Sequence, residues 1–207
     1  GPNGMAFFRY VQVRVMPVMG DHNWVSIALV RPGASGDGGE YDEIIQNRGL
    51  KPRFPLPDLS AEYRHMGDWG YVELAGIVRQ IEWDDFNEDE FDLSGSETGW
   101  GFNLSSNINF GPNGSKFKGS VLHGEGVENY MNDATTDLAV VEDFDNPTTP
   151  LTAKLLPITA LVAFYDMNWS DTWTSTIGYS VVDIDLDGTA ARDSTFTKGQ
   201  YALTNIQ

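Results

Sequence analysis

The chain has 207 residues and no cysteine, and its 30 acidic residues outnumber its 13 basic ones, for a formal net charge of −17. Without thiols, a disulfide framework and a thiolate metal site are excluded. Nucleic acid is excluded as a partner, because the chain has no basic field that would neutralise phosphates. The longest apolar runs are too short for a membrane-spanning helix. They still permit a membrane barrel, whose strands need only about 9–11 residues with every second one apolar.

Nine segments alternate between polar and apolar residues, which is the period expected of β-strands. In chain order these segments are 10–16, 24–30, 59–64, 72–79, 100–109, 117–125, 158–165, 174–182 and 200–207. The third and fourth flank a Gly-Asp-Trp turn and form a predicted hairpin. On this hairpin Tyr63, Val72, Leu74 and Val78 share the apolar face.

The connections between these segments alternate strictly between short and long. The short ones contain Gly, Asn or Asp, as turns require, and the long ones are residues 31–57, 83–98, 126–157 and 183–199. Four long loops in strict alternation are unusual in a compact soluble domain but typical of an up-and-down barrel in an outer membrane. Most of the acidic residues fall in the long loops.

The tryptophans supply a further indication. Several aromatic residues lie at or near predicted strand ends, where the interfacial girdle of a membrane barrel would place them: Trp24, Trp69, Tyr71, Trp100, Trp169 and Trp173. A soluble, secreted β-sandwich that binds carbohydrate through exposed tryptophans is the alternative, because period-two patterning suits both architectures.

Four segments of the sequence resemble the DcaP-like outer-membrane porins, a family of dicarboxylate-type porins. They are "GPNGMAFFRYVQVR" (1–14), "LPDLSAEYRHMGDWGYVELAGIVRQI" (56–81), "GWGFNLSSNI" (99–108) and "HGEGVENYMND" (123–133). The resemblance extends over essentially the whole chain in the same order. It implies an all-β, antiparallel, up-and-down transmembrane β-barrel that has 16 strands, is trimeric and passes small anionic organic compounds.

The chain departs from this family in its number of strands. Nine is an odd number, and an open sheet in lipid would leave two unsatisfied edges. We therefore expect residues 1–207 to form a single barrel domain that is incomplete at both ends.

In a porin, selectivity would come from charged residues on the polar strand faces. By strand parity these residues are Arg14, Glu62, Arg64, Glu73, Arg79 and Lys118. Rings of Arg or Lys favour anions in a narrow pore. The same residues can instead stabilise the wall by pairing across strands, as Glu62 with Arg79 or Arg64 with Glu73. The sequence leaves both roles open for each residue.

Loop 31–57 is a second candidate for selectivity. It begins Gly-rich and acidic and ends with Arg48, Lys51 and Arg53. A long loop that folds into the barrel would bring these three cations to a constriction. The alternative is a surface loop that packs on the next subunit.

Little in the sequence points to catalysis or to a cofactor. The three histidines lack metal-ligand spacing, and no G-x-S-x-G marks a nucleophile, so we expect no enzyme, no metal and no cofactor. A glycosidase-like pair of loop carboxylates is the enzymatic alternative. Residues 183–188, "DIDLDG", imitate the start of a calcium loop, but the twelfth position is Ser194 rather than Glu.

The sequence therefore predicts an outer-membrane porin of a Gram-negative bacterium that allows passive diffusion of small hydrophilic solutes, in particular anionic organic acids such as dicarboxylates. Its expected partners are outer-membrane lipid, lipopolysaccharide, small anionic solutes and two further copies in a homotrimer.

Overall fold

The computed structural model describes residues 2–6, 10–44, 46–111, 113–134 and 136–207. Residue 1 and residues 7–9 of the first segment that carries the family resemblance lie outside the described residues. The strands are β1 (Gln12–Met19), β2 (Asn23–Val30), β3 (Gly36–Asp37), β4 (Leu50–Arg53), β5 (Asp58–Gly67), β6 (Gly70–Asp85), β7 (Gly95–Phe110), β8 (Ser115–Glu125), β9 (Leu138–Glu142), β10 (Leu151–Leu155), β11 (Pro157–Ser170), β12 (Trp173–Ile184) and β13 (Lys198–Ile206). Short 3-10 helices cover Gly39–Tyr41, Gln46–Gly49 and Glu128–Tyr130. Within the described ranges, no helix is long and apolar enough to cross a membrane.

The nine predicted segments form one antiparallel sheet in the order β1-β2-β5-β6-β7-β8-β11-β12-β13. Chain order and spatial order agree, so the sheet has the up-and-down topology that the alternation predicted. The sheet is open, and β1 and β13 lie at its two edges. The predicted fold class is thus confirmed as an up-and-down sheet.

The short connections are tight because their turn residues permit it. Gly67 pairs with Gly70 across the Asp68–Trp69 turn. Gly70 has φ +119°, and a Cβ at this position would collide with the backbone of Asn107 on β7. Only glycine adopts this conformation without strain.

The second long connection is shorter than predicted. Because β6 runs to Asp85 and β7 begins at Gly95, the loop covers only residues 86–94 rather than 83–98. The Trp83 indole donates a hydrogen bond to the Leu93 carbonyl oxygen (2.7 Å), and the Asp85 carboxylate accepts one from the Leu93 amide (3.0 Å). These bonds hold an acidic stretch in strand conformation that its composition alone does not favour.

The two faces of the sheet differ sharply, and we call them the outer and the inner face. On the outer face, large apolar side chains of neighbouring strands lie side by side and exposed, including Val13 (72%), Leu74 (51%) and Ile177 (57%). Tyr63, Val72 and Val78 also lie on this face and are exposed, as predicted. No second sheet covers the outer face within the described residues, so the sandwich architecture is not the one observed.

The long loops pack against the inner face. Strands β10, β9 and β3 form a separate three-stranded sheet within these loops. The buried core lies between the loop 126–156 and the inner wall, and its residues are Leu122, Val127, Met131, Ala139, Leu156, Ile158, Ala160, Val182 and Ile184. The core of this protein therefore fills one end of the inner face rather than the space between two sheets.

Candidate functional site

The charged side chains on the inner face lie near the end of the sheet that carries the short turns. Arg14 on β1 lies 3.3 Å from the Glu62 carboxylate on β5. Glu62 also accepts a hydrogen bond of 2.9 Å from the Ser26 hydroxyl on β2. The Arg14 and Glu62 side chains keep 38% and 30% of their surface exposed, so this pair faces open space.

Arg64 makes the most extensive contacts on this part of the wall. Its guanidinium binds Glu73 on β6 at 2.6 Å, the pair predicted across the hairpin. The same guanidinium lies over the rings of Trp24 (5.2 Å) and Tyr71 (4.3 Å). Two aromatic faces and a carboxylate fix the position of this cation.

A third charged group lies further along the sheet. Lys118 on β8 binds Asp166 on β11 at 2.6 Å, and the Thr176 hydroxyl donates to the same carboxylate at 2.9 Å. Lys116 is paired in register with Asp166 and shares the face of Lys118. Among the described residues, Lys116 forms no salt bridge within 4 Å, although its charge acts on the Asp166 carboxylate that Lys118 binds. The two lysines thus share one carboxylate, which leaves an excess of one positive charge at this place.

Arg79 does not line open space, in contrast to the prediction. It faces inward, but its side chain is completely buried beneath the long loops. The predicted pair of Glu62 with Arg79 is also wrong, because the hairpin register places Glu62 opposite Ala75. Arg79 instead lies 3.3 Å from Asp58 and 3.0 Å from Asp137. Asp137 belongs to a loop that strand parity cannot place.

Two of the three cations of loop 31–57 lie beside the C-terminal end of β6 and not at a constriction. Lys51 and Arg53 belong to β4, which pairs with the far end of β6. Arg53 binds Glu82 (2.6 Å) and Asp84 (3.1 Å), while Lys51 lies 5.0 Å from the centre of the Phe86 ring. Arg48 lies in the 3-10 helix before β4. The basic stretch of loop 31–57 therefore pairs with the acidic end of β6. The loop that packs against the inner face at this end of the sheet is loop 126–156.

A recess of about 560 Å³ separates the exposed charges from the loop. Arg14, Glu62 and Glu73 line its wall side, and Tyr130 and Val127 line its loop side. It has charged groups of both signs on one side and apolar surface on the other, so it can take up small polar molecules with an apolar part.

The part of the chain that the structure describes holds no group of three or more potential metal ligands. In the stretch that imitates a calcium loop, the Asp183 carboxylate binds Lys198 at 2.5 Å, and Asp185 accepts a hydrogen bond from the Asp187 amide at 2.8 Å. The first carboxylate of this stretch, Asp183, is thus already paired with Lys198 on β13.

No protein-family model matches the sequence, and no curated protein matches it. Among solved structures, the outer membrane channel DcaP of Acinetobacter baumannii superimposes with a TM-score of 0.74. The chain is similar in fold to an outer-membrane channel. The similarity covers 100% of this chain and 54% of that structure, at 17% sequence identity. The chain therefore spans about half the length of that channel, and the similarity concerns the fold.

This similarity agrees with the family resemblance inferred from the sequence. The inner face of the sheet corresponds to the side that lines the lumen in a barrel. Sequence reasoning missed two features of that face. Lys116 has the same strand parity as Lys118, so the alternation on β8 was a usable signal. Glu128 and Asp137 lie in a loop without periodicity, and no sequence signal indicated their burial.

Proposed function

We propose that the chain forms part of the wall of an outer-membrane channel through which small hydrophilic solutes diffuse passively. The observation that carries the proposal is the inverted arrangement of the sheet. Large apolar side chains are exposed along the outer face, whereas ion pairs lie on the inner face. A soluble protein rarely exposes so extended an apolar surface, whereas a bilayer solvates one favourably.

The charge of the exposed inner wall supports a preference for anions. Near the short turns, the inner faces of the strands present four cations, Arg14, Arg64, Lys116 and Lys118, and three carboxylates, Glu62, Glu73 and Asp166. Three of the cations are neutralised by a neighbouring carboxylate, so the net excess is the charge of Lys116. We infer a modest preference for small organic anions such as dicarboxylates, and the wall-stabilising role applies to the three paired cations.

The proposed location and partners follow from this role. The exposed outer face would contact outer-membrane lipid and lipopolysaccharide, or neighbouring subunits of a homotrimer. Trp169 and Trp173, exposed beside the last short turn, would lie at the membrane interface. The proposal includes no catalytic step.

The first test measures ion selectivity with the full-length protein in planar bilayers. Under a salt gradient, the reversal potential is expected to indicate anion preference. Lys116→Gln should reduce this preference because it removes the uncompensated cation, and Asp166→Asn should increase it because it frees Lys118. The two substitutions change the charge at the same place on the wall, one by removing a positive charge and the other by removing a negative charge. Each variant is therefore the control for the other.

Cation preference that neither substitution changes would contradict the proposed selectivity. The broader proposal of a membrane channel is tested separately by extraction of membranes. The protein is expected to stay in the membrane fraction at high salt and to need detergent for release. Recovery in aqueous buffer would reject the membrane location.

A further inference from the structure

A single buried guanidinium connects the loops on the inner face to the wall. Arg79 Nη1 donates to the Gly126 carbonyl oxygen (2.9 Å) and to the Asp137 carboxylate (3.0 Å). Its Nη2 donates to the Gly33 carbonyl oxygen, and its Nε lies 3.3 Å from the Asp58 carboxylate. Arg79 thus contacts loop 31–57, the start of β5, and loop 126–156 at two positions, Gly126 and Asp137.

The partners of Arg79 are themselves cross-linked. The Asp137 carboxylate accepts hydrogen bonds from the Ser35 amide (2.8 Å) and the Asn129 amide (3.0 Å). The Tyr130 hydroxyl donates to Asp58 at 2.6 Å, and the Tyr130 ring lies 5.3 Å from the Arg79 guanidinium. These contacts hold the loop against the wall at a place that excludes solvent.

Glu128 is the component of this cluster without a compensating contact. Its side chain is fully buried, and neither carboxylate oxygen has a hydrogen-bond partner in the described structure. Burial and the nearby charge of Asp137 raise the pKa of Glu128 to about 9. The backbone amides of Glu128 and Val127 and the charge of Arg79, which is shared with Asp58 and Asp137, offset this rise only in part. Glu128 therefore stays protonated at neutral pH while the loop is seated.

We propose that the cluster of Arg79, Asp58, Glu128, Tyr130 and Asp137 is a pH-sensitive lock that seats loop 126–156 on the inner face. The lock is tightest in acid and weakens as the pH rises, because Glu128 must hold a proton to remain buried. Lifting of the loop would uncover the inner wall and widen the passage beside it. This last consequence rests on the proposed channel function, whereas the lock itself does not.

The direction of the pH dependence follows from the two states of Glu128. In the lifted loop Glu128 is solvated and releases its proton near its ordinary pKa, whereas in the seated loop it keeps the proton to about pH 9. Between these values each rise in pH favours the lifted state, by up to about tenfold per pH unit. Above the higher value both states are ionised, and the dependence ends. The charged groups that act on Glu128 are Asp137 from the loop and Arg79 from β6. Asp58 from β5 and Tyr10 from the segment before β1 act on Tyr130 in the same cluster.

The absence of cysteine in the chain permits a direct test of the loop position. Ala139→Cys places a thiol on β9, where the side chain is buried between the loop and the wall. A bulky, charged maleimide should label it only when the loop lifts. Thr172→Cys, in an exposed short turn, serves as the reference that corrects for ionisation of the thiol with pH. The protein is assayed folded in detergent micelles.

We expect the corrected labelling rate of the Ala139→Cys variant to rise at least about tenfold between pH 6 and pH 9. When Glu128→Gln, which is neutral at every pH, is added to this variant, the rate should stay low throughout. With Arg79→Met added instead, the rate should be high even at pH 6. Addition of Arg64→Met, which removes an inner-face arginine outside the lock, should leave the rate of the Ala139→Cys variant unchanged.

A rate that is flat with pH in the Ala139→Cys variant, or a slope that persists undiminished when Glu128→Gln is added, would overturn the lock. Neither outcome depends on whether Arg79→Met folds. Conductance of the full-length protein in planar bilayers then tests the link to solute passage. Labelling that rises while conductance stays constant would retain the lock and reject the proposed role of the loop in the channel.

Discussion

Substitution of Arg79 by methionine is expected to lower the free energy of unfolding by about 3–5 kcal/mol. Arg79 is completely buried and lies within 3.3 Å of two carboxylates. Methionine fills a similar volume but leaves Asp58 and Asp137 as buried, uncompensated charges, and this is what makes the loss large. Urea titration of the protein in detergent micelles, followed by tryptophan fluorescence, measures the change.

Arg64→Met is the matched control for this substitution. Arg64 also binds a carboxylate on the inner face, but its side chain keeps 28% of its surface exposed. Water solvates Glu73 when the partner is lost, so the expected loss is about 1 kcal/mol or less. Equal losses for the two variants would show that burial of Arg79 contributes no special stability.

Substitution of Leu104 by arginine is expected to destabilise the protein in a bilayer by about 2–4 kcal/mol. Leu104 lies on the outer face of β7 with 46% of its surface exposed, between Leu74 and Val121 of the neighbouring strands. A charge at this height would replace an apolar side chain that contacts lipid. Unfolding from phospholipid vesicles by denaturant measures the effect.

The adjacent residue supplies the control at the same height. Ser105 lies on the inner face beside Ser120, so Ser105→Arg should change stability by only about 0.5 kcal/mol. In a water-soluble protein the order would not hold, because an exposed leucine tolerates replacement by arginine. Equal effects of the two variants would therefore contradict the assignment of the outer face to lipid.

The strands and their faces were predictable because the period of two is a local property. Each side chain of β6 faces the side that its parity indicates, and the tight turn at Gly67–Gly70 sets the register of the hairpin. For this reason the Arg64–Glu73 pair was predictable from residues nine positions apart. The pairing of Glu62 with Arg79 does not fit this register, which places Glu62 opposite Ala75 and brings Arg79 next to Asp58 at the start of β5.

The contact of Arg79 with Asp137, by contrast, could not be predicted from the hairpin. Arg79 binds Asp137, which is 58 positions away in the sequence, and a buried charge takes the partner that is also buried. Loop 126–156 has no periodicity, so its fold depends on contacts with the wall that only the complete sheet supplies. The basic end of loop 31–57 similarly pairs with the acidic extension of β6.

By itself, the sequence determined the nine strands, their up-and-down order, and which side chains share a face, since these follow from side-chain alternation and from turn chemistry. Only the tertiary structure decided which charges stay in open space and which are buried. The ion pairs of Arg14, Arg64 and Lys118 remain accessible on the inner face, whereas the long loops cover Arg79. Burial depends on where distant segments pack, and a local pattern contains no information on that.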